Sequence, residues 1–269
     1  MQKAAKYISS KEGERLLGVK RNTFFYYVKS GQIAKKERAE TDKGTNLYSY
    51  ADTLKVKEIR DRKKKKLSTM VDWQKISDLP AIIKLDLAVY KENIVGDIGL
   101  YVSWEKKNPK ITLLAFESNN RENVLAYVSL VPLPEQVILS ILKGEREELS
   151  ISPDEVETYD RRGGYTLLAE SAVAHPDHPE QLSNVIREVL NFWCDQYPDR
   201  YIEKIYAQAA SDAGDILVRK LYFSPLYNLS DNAYVLDLRK PGASKLVRHF
   251  QQCLKTKESQ MQSERTKVS

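Results

Sequence analysis

No long hydrophobic run occurs in the sequence. None of its 269 residues lies in a stretch approaching the roughly 20 apolar residues that a bilayer span requires, and the opening MQKAAKYISS lacks the apolar stretch of a signal peptide. Membrane-spanning and secreted classes are set aside, and a soluble cytoplasmic protein is expected. Cysteine is scarce: Cys194 and Cys253 stand far apart in no metal-type spacing and read as ordinary packing residues of a reducing compartment. Histidine is scarce too. His175 and His178 have an i, i+3 spacing, but prolines flank them and no third ligand is near, so no metal is expected. His249 carries no signal.

What is present in excess is positive charge at one end. Residues 1–67 hold 19 Lys and Arg against 8 Asp and Glu, a net +11; residues 68–239 are net −10, and residues 240–269 net +5. A small basic unit joined to a larger acidic one points to a polyanion partner for the first and a different task for the second. The length suits two domains with at least one sizeable core.

In the basic unit, Ser9-Ser10-Lys11-Glu12 has the Ser-x-x-Glu spacing of a capping box, and Leu16, Leu17 and Val19 form the apolar side of a short helix that Gly18 ends. A second helix runs from about Arg21 to Ser30, with Gly31 as its left-handed stop. Two short helices about a glycine-containing turn are the signature of a helix-turn-helix. Helical spacing puts Phe24, Tyr27 and Val28 against the first helix and leaves Asn22, Phe25, Tyr26 and Lys29 outward. Two readings of these aromatics stand: all are core, or Phe25 touches thymine methyls and Tyr26 a phosphate or base edge, with Arg21 and Asn22 reading bases. Asp42-Lys43-Gly44 is a hairpin signal, making a wing that carries Lys35, Lys36, Arg38 and Lys43. A third helix starts near Asp52 and runs into the lysine run Lys63 to Lys66, read as a linker with incidental phosphate attraction. The candidate DNA-binding residues are Lys20, Arg21, Asn22, Thr23, Phe25, Tyr26, Lys29, Lys35, Lys36, Arg38 and Lys43. Residues 6–60, with YISSKEGERLLGVKRNTFFYYVKSGQI followed by a wing and Tyr50-Ala51-Asp52, resemble the winged helix-turn-helix of the MerR family. That resemblance implies double-stranded DNA as partner and a homodimer on a palindrome. Phe25 stands where the family usually has arginine.

From residue 68 the pattern alternates. MVDWQKIS reads as a strand; Asp78 as N-cap and Pro80 open a helix with Ile82, Ile83, Leu85, Leu87 and Val89; a second helical stretch passes through Trp104 to Pro109. ITLLAFE and VLAYVSLVPL form a hairpin across SNNREN, Pro134 to Gly144 a helix, and YTLLAESAV a central buried strand. Leu182, Val185, Ile186, Val189, Leu190 and Trp193 mark a long amphipathic helix. IEKIYAQAA, AGDILVRKLYF and NAYVLDL supply a strand, a helix and a strand, and a last helix from about Gly242 to Lys255 gives way to a polar tail.

This order over residues 69–238 resembles the Gcn5-related N-acetyltransferase (GNAT) fold, with Ser103-Trp104 before Asn108-Pro109, Val173 to Pro176, and Ala207 to Phe223 as its most particular pieces. Family members hold acetyl-CoA between the two central strands, its pyrophosphate on a Gln/Arg-x-x-Gly-x-Gly/Ala loop at the start of the long helix. The matching stretch here is HPDHPEQLSN, which has no glycine. Pro176 and Pro179 lack an N–H, and Asp177 and Glu180 add negative charge where an anion would sit. Tyr222-Phe223 replaces the family's Gly-Phe, which reads as a large ring in a space ordinarily left open. Tyr227 and Glu170 stand where the resemblance would put a general acid and a base, although Glu170 reads equally as a surface charge.

The fold class expected is α/β in the sense of α+β: an N-terminal winged helix-turn-helix (1–67), an acetyltransferase-like mixed sheet with flanking helices (68–240), and a C-terminal helix with a tail (241–269). The function expected is a DNA-binding transcriptional regulator, a repressor acting as a homodimer on an inverted repeat, that is not an enzyme and has no catalytic residue, cofactor or membrane partner. The pairing of the two parts resembles the repressor family that accompanies cyanobacterial type V-K CRISPR-associated transposons. Two alternatives stand beside it, a DNA-tethered active N-acetyltransferase and an excisionase-like directionality factor.

Overall fold

The computed structural model describes residues 6–19, 21–36, 46–64, 68–90 and 97–268, apart from the side chains of residues 22, 62–64 and 264–268. The chain divides into two compact units, Met1–Ser68 and Thr69–Ser269.

In the first unit β1 (Tyr7–Ser9) pairs antiparallel with β2 (Leu47–Ser49), Ile8 opposite Tyr48. Helix α1 (Ser10–Leu17) opens on the expected capping box: the Ser9 hydroxyl accepts the Glu12 N–H, and the Glu12 carboxylate accepts the Ser9 N–H at 2.8 Å. Those bonds to the ionised form hold the Glu12 carboxyl below its usual range. The helix ends at Gly18, whose φ of 61° is the left-handed conformation that glycine adopts without steric cost. Helix α2 (Arg21–Lys29) follows and lies close on α1, because Gly13 leaves room for the Phe24 ring, which a Cβ at that position would meet at 2.2 Å. Leu17, Phe24, Ile33, Tyr48 and Val56 form the small core, the last of them on α3 (Tyr50–Lys64). Residues 34–36 run alongside β2, with Lys36 N–H bonded to Leu47 O and Ser49 N–H to Ala34 O, both at 2.9 Å. The wing expected from the sequence would fall between these two segments. Its turn, Asp42-Lys43-Gly44, lies outside the described residues, as do Lys65 and Lys66 of the lysine run.

The second unit is a helix, sheet, helix sandwich. Its seven-stranded sheet has the order β3-β4-β5-β6-β7-β9-β8, formed by Thr69–Trp73, Thr112–Glu117, Asn120–Pro132, Gly163–Ala174, Arg200–Gln208, Ala233–Asp237 and Ser224–Pro225 respectively. Every pairing is antiparallel except β6 with β7. A parallel pair needs a crossover, and α7 (Glu180–Gln196) supplies it. On one face α7 packs Val185, Val189, Leu190 and Trp193 over Ala126, Val128 and Leu167, and α9 (Lys245–Val268) adds Val247 and Phe250. Helix α8 (Asp212–Lys220) places Val218 against Ala207 and Tyr234. On the other face lie α4 (Leu79–Tyr90), with Ile82 and Leu85 on Leu114 and Tyr127, and α5 (Ile98–Lys107) and α6 (Glu135–Leu142), with Trp104, Ile138 and Leu142 on Val131, Leu168 and Tyr206.

Three details differ from the sequence reading. Cys194 and Cys253 are joined as a disulfide between α7 and α9, where two reduced packing residues were expected; the helical positions of both place them at the same contact. Helix α9 continues to Val268, well past Lys255, and its first turns belong to the core. The Asp78 carboxylate does not cap α4: it accepts the Lys75 N–H and three contacts from Arg121, which also bridges to Asp72 and the Trp73 carbonyl. Among the described residues no helix is long and apolar enough to cross a membrane.

Candidate functional site

The centre of the sheet carries the chemistry. Along β5 and β6 the register runs Ser129 opposite Ser171 and then Leu130 opposite Ala169, so Glu170 is the extra residue of a β-bulge. A bulge turns its side chain away from strict alternation, and Glu170 is thereby aimed, like Ser171, toward the face that carries α4 and α5. The same residue marks a second event. Parallel pairing of β6 with β7 ends at Ala169 and Ala207, and from Glu170 to Ala174 β6 keeps only β5 as a partner. Glu170 therefore sits where the two central strands part.

Around it the apolar faces are interrupted by polar groups. The Tyr101 hydroxyl of α5 donates to Glu170 Oε1 at 3.3 Å. The Tyr127 hydroxyl donates to Asp86 Oδ1 of α4 at 2.7 Å and lies 3.1 Å from Ser171 Oγ. Ser129 and Thr112 share a hydrogen bond of 2.9 Å beneath them. Burial drives the carboxyls upward. Asp86 is raised to about 6 by desolvation, partly offset by the Tyr127 bond. Glu170 is raised well above the ordinary carboxylate range by desolvation, against hydrogen bonds from Ser129 and Tyr101 that favour the ionised form. Glu148, whose Oε1 is buried without a partner, is raised by desolvation and then by the Glu170 charge. Desolvation and the neighbouring Glu170 also push the Tyr101 phenol far up, so Tyr101 is a neutral donor throughout the physiological range. Three carboxyls and two phenols thus cluster on this face of the sheet, and Glu170 is poised to take up a proton near neutrality.

Of these residues the sequence reading singled out Glu170 alone, and Asp86, Tyr101, Tyr127, Ser129, Glu148 and Ser171 were missed. The available signal was the Glu-Ser pair inside YTLLAESAV and the lone serine inside VLAYVSLVPL, polar groups in runs otherwise fit only for a core. Tyr227 lies elsewhere, exposed beside Arg219 and Tyr234. Tyr222 has φ 62° with its ring 60% exposed, so the glycine of the family motif answers to backbone conformation at this position and not to open space.

The loop between β6 and α7 carries the other expectation. His175 N–H bonds to Leu125 O at 2.7 Å, Asp177 N–H to His175 Nδ1 at 3.2 Å, His178 N–H to His175 O at 2.8 Å and Gln181 N–H to His178 O at 3.0 Å. With Pro176 and Pro179 interleaved, four of the loop's amides from His175 to Gln181 are spent and two are missing. The pyrophosphate cradle of the resembled family does not fit here.

In the first unit, Arg21, Thr23, Tyr26 and Lys29 lie exposed on α2, and Lys35 and Lys36 are exposed beside β2. Tyr26 is 63% exposed. Phe25 is only half outward: its ring packs edge-on against Phe24 and Tyr48, with the Arg21 guanidinium 5.5 Å above it. Lys20, Arg38 and Lys43 lie outside the described residues, as does the side chain of Asn22.

No protein-family model and no curated protein matches the chain. Solved structures to which it is similar include the loading GNATL domain of CurA from Lyngbya majuscula, at 15% identity over 53% of this chain and 65% of that one, with a TM-score of 0.38. Ard1 from Thermoplasma volcanium is 10% identical over 62% and 94% (TM-score 0.39), and a GNAT family acetyltransferase from Brucella melitensis in complex with acetyl-CoA is 14% identical over 65% and 91% (TM-score 0.37). The second unit, a mixed seven-stranded sheet with helices on both faces, is similar to these domains in that arrangement. The expectation of a protein that is not an enzyme stands against these neighbours, one of which is a GNAT family acetyltransferase in complex with acetyl-CoA. The MerR and transposon-repressor resemblances gain no support from them.

Proposed function

We propose that the second unit is an N-acyltransferase acting on a cationic primary amine, with Glu170 as the proton acceptor. The observation that supports this best is the coincidence at one residue of the bulge, the parting of β6 from β7 and a carboxyl raised toward neutrality. An ammonium approaching this cluster meets Asp86, Glu148 and Glu170. Ionised Glu170 removes a proton from the nitrogen and frees its lone pair for attack on an acyl carbon, while Tyr101 holds the carboxylate in place from α5. Ser129 and Ser171 keep the strand polar where the amine would lie. The test is acetyl transfer to 1,4-diaminobutane. Glu170→Gln is expected to lower the rate by about 10²- to 10⁴-fold with little change in amine KM, the usual contribution of a positioned general base. The rate should rise with pH along a limb above the ordinary carboxylate range, and the variant should lose that limb. Equal rates for the two proteins would remove the assignment.

A second reading concerns the first unit, and the exposed basic and aromatic groups of α2 favour it. Arg21, Tyr26 and Lys29 face outward from a helix that follows a glycine-ended turn, in a segment of net +11. On this reading the unit binds double-stranded DNA, as a homodimer on an inverted repeat, and the chain is a DNA-tethered acyltransferase whose binding can also block a promoter. Arg21→Ala and Tyr26→Ala should each cost about 1–3 kcal/mol of specific binding in a mobility-shift series. Wild-type affinity in Arg21→Ala would exclude α2 as the reading helix.

A further inference from the structure

The reading of Glu170 as proton acceptor leaves open what carries the acyl group, and two features of the same region bear on it. The first is the loop between β6 and α7. From His175 to Gln181, Pro176 and Pro179 have no amide hydrogen, and His175, Asp177, His178 and Gln181 donate theirs to Leu125 O or to His175 and His178. Only the Glu180 amide is left, and it belongs to a residue whose own carboxylate lies at the helix start, 3.6 Å from His178 Nδ1. Asp177 adds a second negative charge one residue from each proline's neighbourhood. A diphosphate placed against this loop would meet two carboxylates and, from the loop's own backbone, the Glu180 amide alone, the reverse of the glycine-rich helix start that holds an anion.

The second feature is the edge of β6. From Glu170 to Ala174 its backbone is paired on the β5 side alone, because the parallel ladder with β7 stops at Ala169 and Ala207. An extended chain with amide groups can add to such an edge by main-chain hydrogen bonds, which need no phosphate. That edge begins at Glu170 itself, so an arm lying along it brings its end to the carboxylate.

We infer that the acyl donor is a thioester recognised by its short amide-bearing thiol arm and not by a nucleotide diphosphate. The amine nitrogen forms a bond to the thioester carbonyl carbon and the carbon–sulfur bond breaks. Glu170 takes the first proton from the ammonium nitrogen, and the second passes from that nitrogen to the departing thiolate, leaving an amide and a free thiol. This donor reading rests on the acyltransferase reading above but fails separately from it.

The test is calorimetric titration of the full-length protein with acetyl-CoA, acetyl-pantetheine and adenosine 3′,5′-bisphosphate, followed by acetyl transfer to 1,4-diaminobutane from the two thioesters. The two thioesters should bind within about tenfold of each other and show kcat/KM values within the same range, because the nucleotide adds no net contact, and adenosine 3′,5′-bisphosphate should neither bind nor compete. Replacing Pro176, Asp177 and Pro179 together by glycine should then create a preference for acetyl-CoA over acetyl-pantetheine that the natural loop lacks. A preference of about 100-fold or more for acetyl-CoA in the unaltered protein, competition by the bisphosphate, or no binding of either thioester would overturn the inference. Failure of the proton-acceptor reading would show itself differently, as unchanged turnover in Glu170→Gln.

Discussion

At the scale of single residues, the groups that matter most are ionisable side chains held away from water. Glu105 is the simplest case. It is 6% exposed, its Oε2 has no partner, and its carboxyl is raised from 4.5 to about 7 by desolvation and then by Asp78. Because the folded value lies above the unfolded one, the stability associated with neutral Glu105 is fully present below pH 4.5 and is lost as pH rises through 7. Glu105→Gln should match the natural protein at pH 4.5 and exceed it at pH 8, by roughly 2–3 kcal/mol, in denaturant titrations at the two pH values. An equal pH dependence for both proteins would show that the carboxyl is hydrated when folded. Tyr222 offers a backbone counterpart. An L residue at φ 62° is strained by about 1–2 kcal/mol, and its exposed ring has little packing to lose. Tyr222→Gly should therefore raise thermal stability by up to about 1 kcal/mol once glycine's greater unfolded entropy is set against the relief.

At the scale of elements, helix α9 is a structural member of the second unit. Phe250 and Val247 are each 2% exposed against the sheet face covered by α7. Phe250→Ala should destabilise the second unit by about 3–5 kcal/mol in a melting experiment, whereas loss of a loosely attached tail would change nothing. Periodicity shows the start of this helix, at Leu246, Val247 and Phe250, but not its length, since the polar turns beyond Lys255 have no apolar stripe from which to read it. The strands show the same division. Apolar runs were legible as strands and the pair as a hairpin, because burial and turn chemistry are local properties, although the turn is Ser118 and Asn119 alone and the rest of SNNREN belongs to β5. The bulge at Glu170 was not legible. Register depends on which residue of a neighbouring strand lies opposite, and nothing within YTLLAESAV reports that. The polar cluster was missed for the same reason: Asp86, Tyr101, Tyr127 and Glu148 come from four separate elements and meet only after the sheet is assembled.

At the scale of the whole molecule, charge is partitioned between the units, +11 over residues 1–67 against −10 over residues 68–239. Affinity of the full chain for duplex DNA should fall steeply between low and moderate salt, with a log-log slope near −0.9 for each phosphate contacted, and acyl transfer to a small amine should fall far less. A joint loss of both activities would show that the carboxyl cluster about Glu170, not the first unit, governs the salt response. The glycine-poor loop was readable at this scale before any coordinates, because proline removes a donor wherever it stands, and the structure adds that the remaining amides are bonded within the loop.

The lone parallel pairing carries a hazard during synthesis. Strand β6 has an apolar, twelve-residue length, and the chain must extend through α7 as far as Arg200 before β7 can shield its open side. Until then a ribosome-bound intermediate offers a long unguarded border on which a neighbouring nascent copy can zip, so crowding of translating chains is the moment at which this molecule is most prone to aggregate.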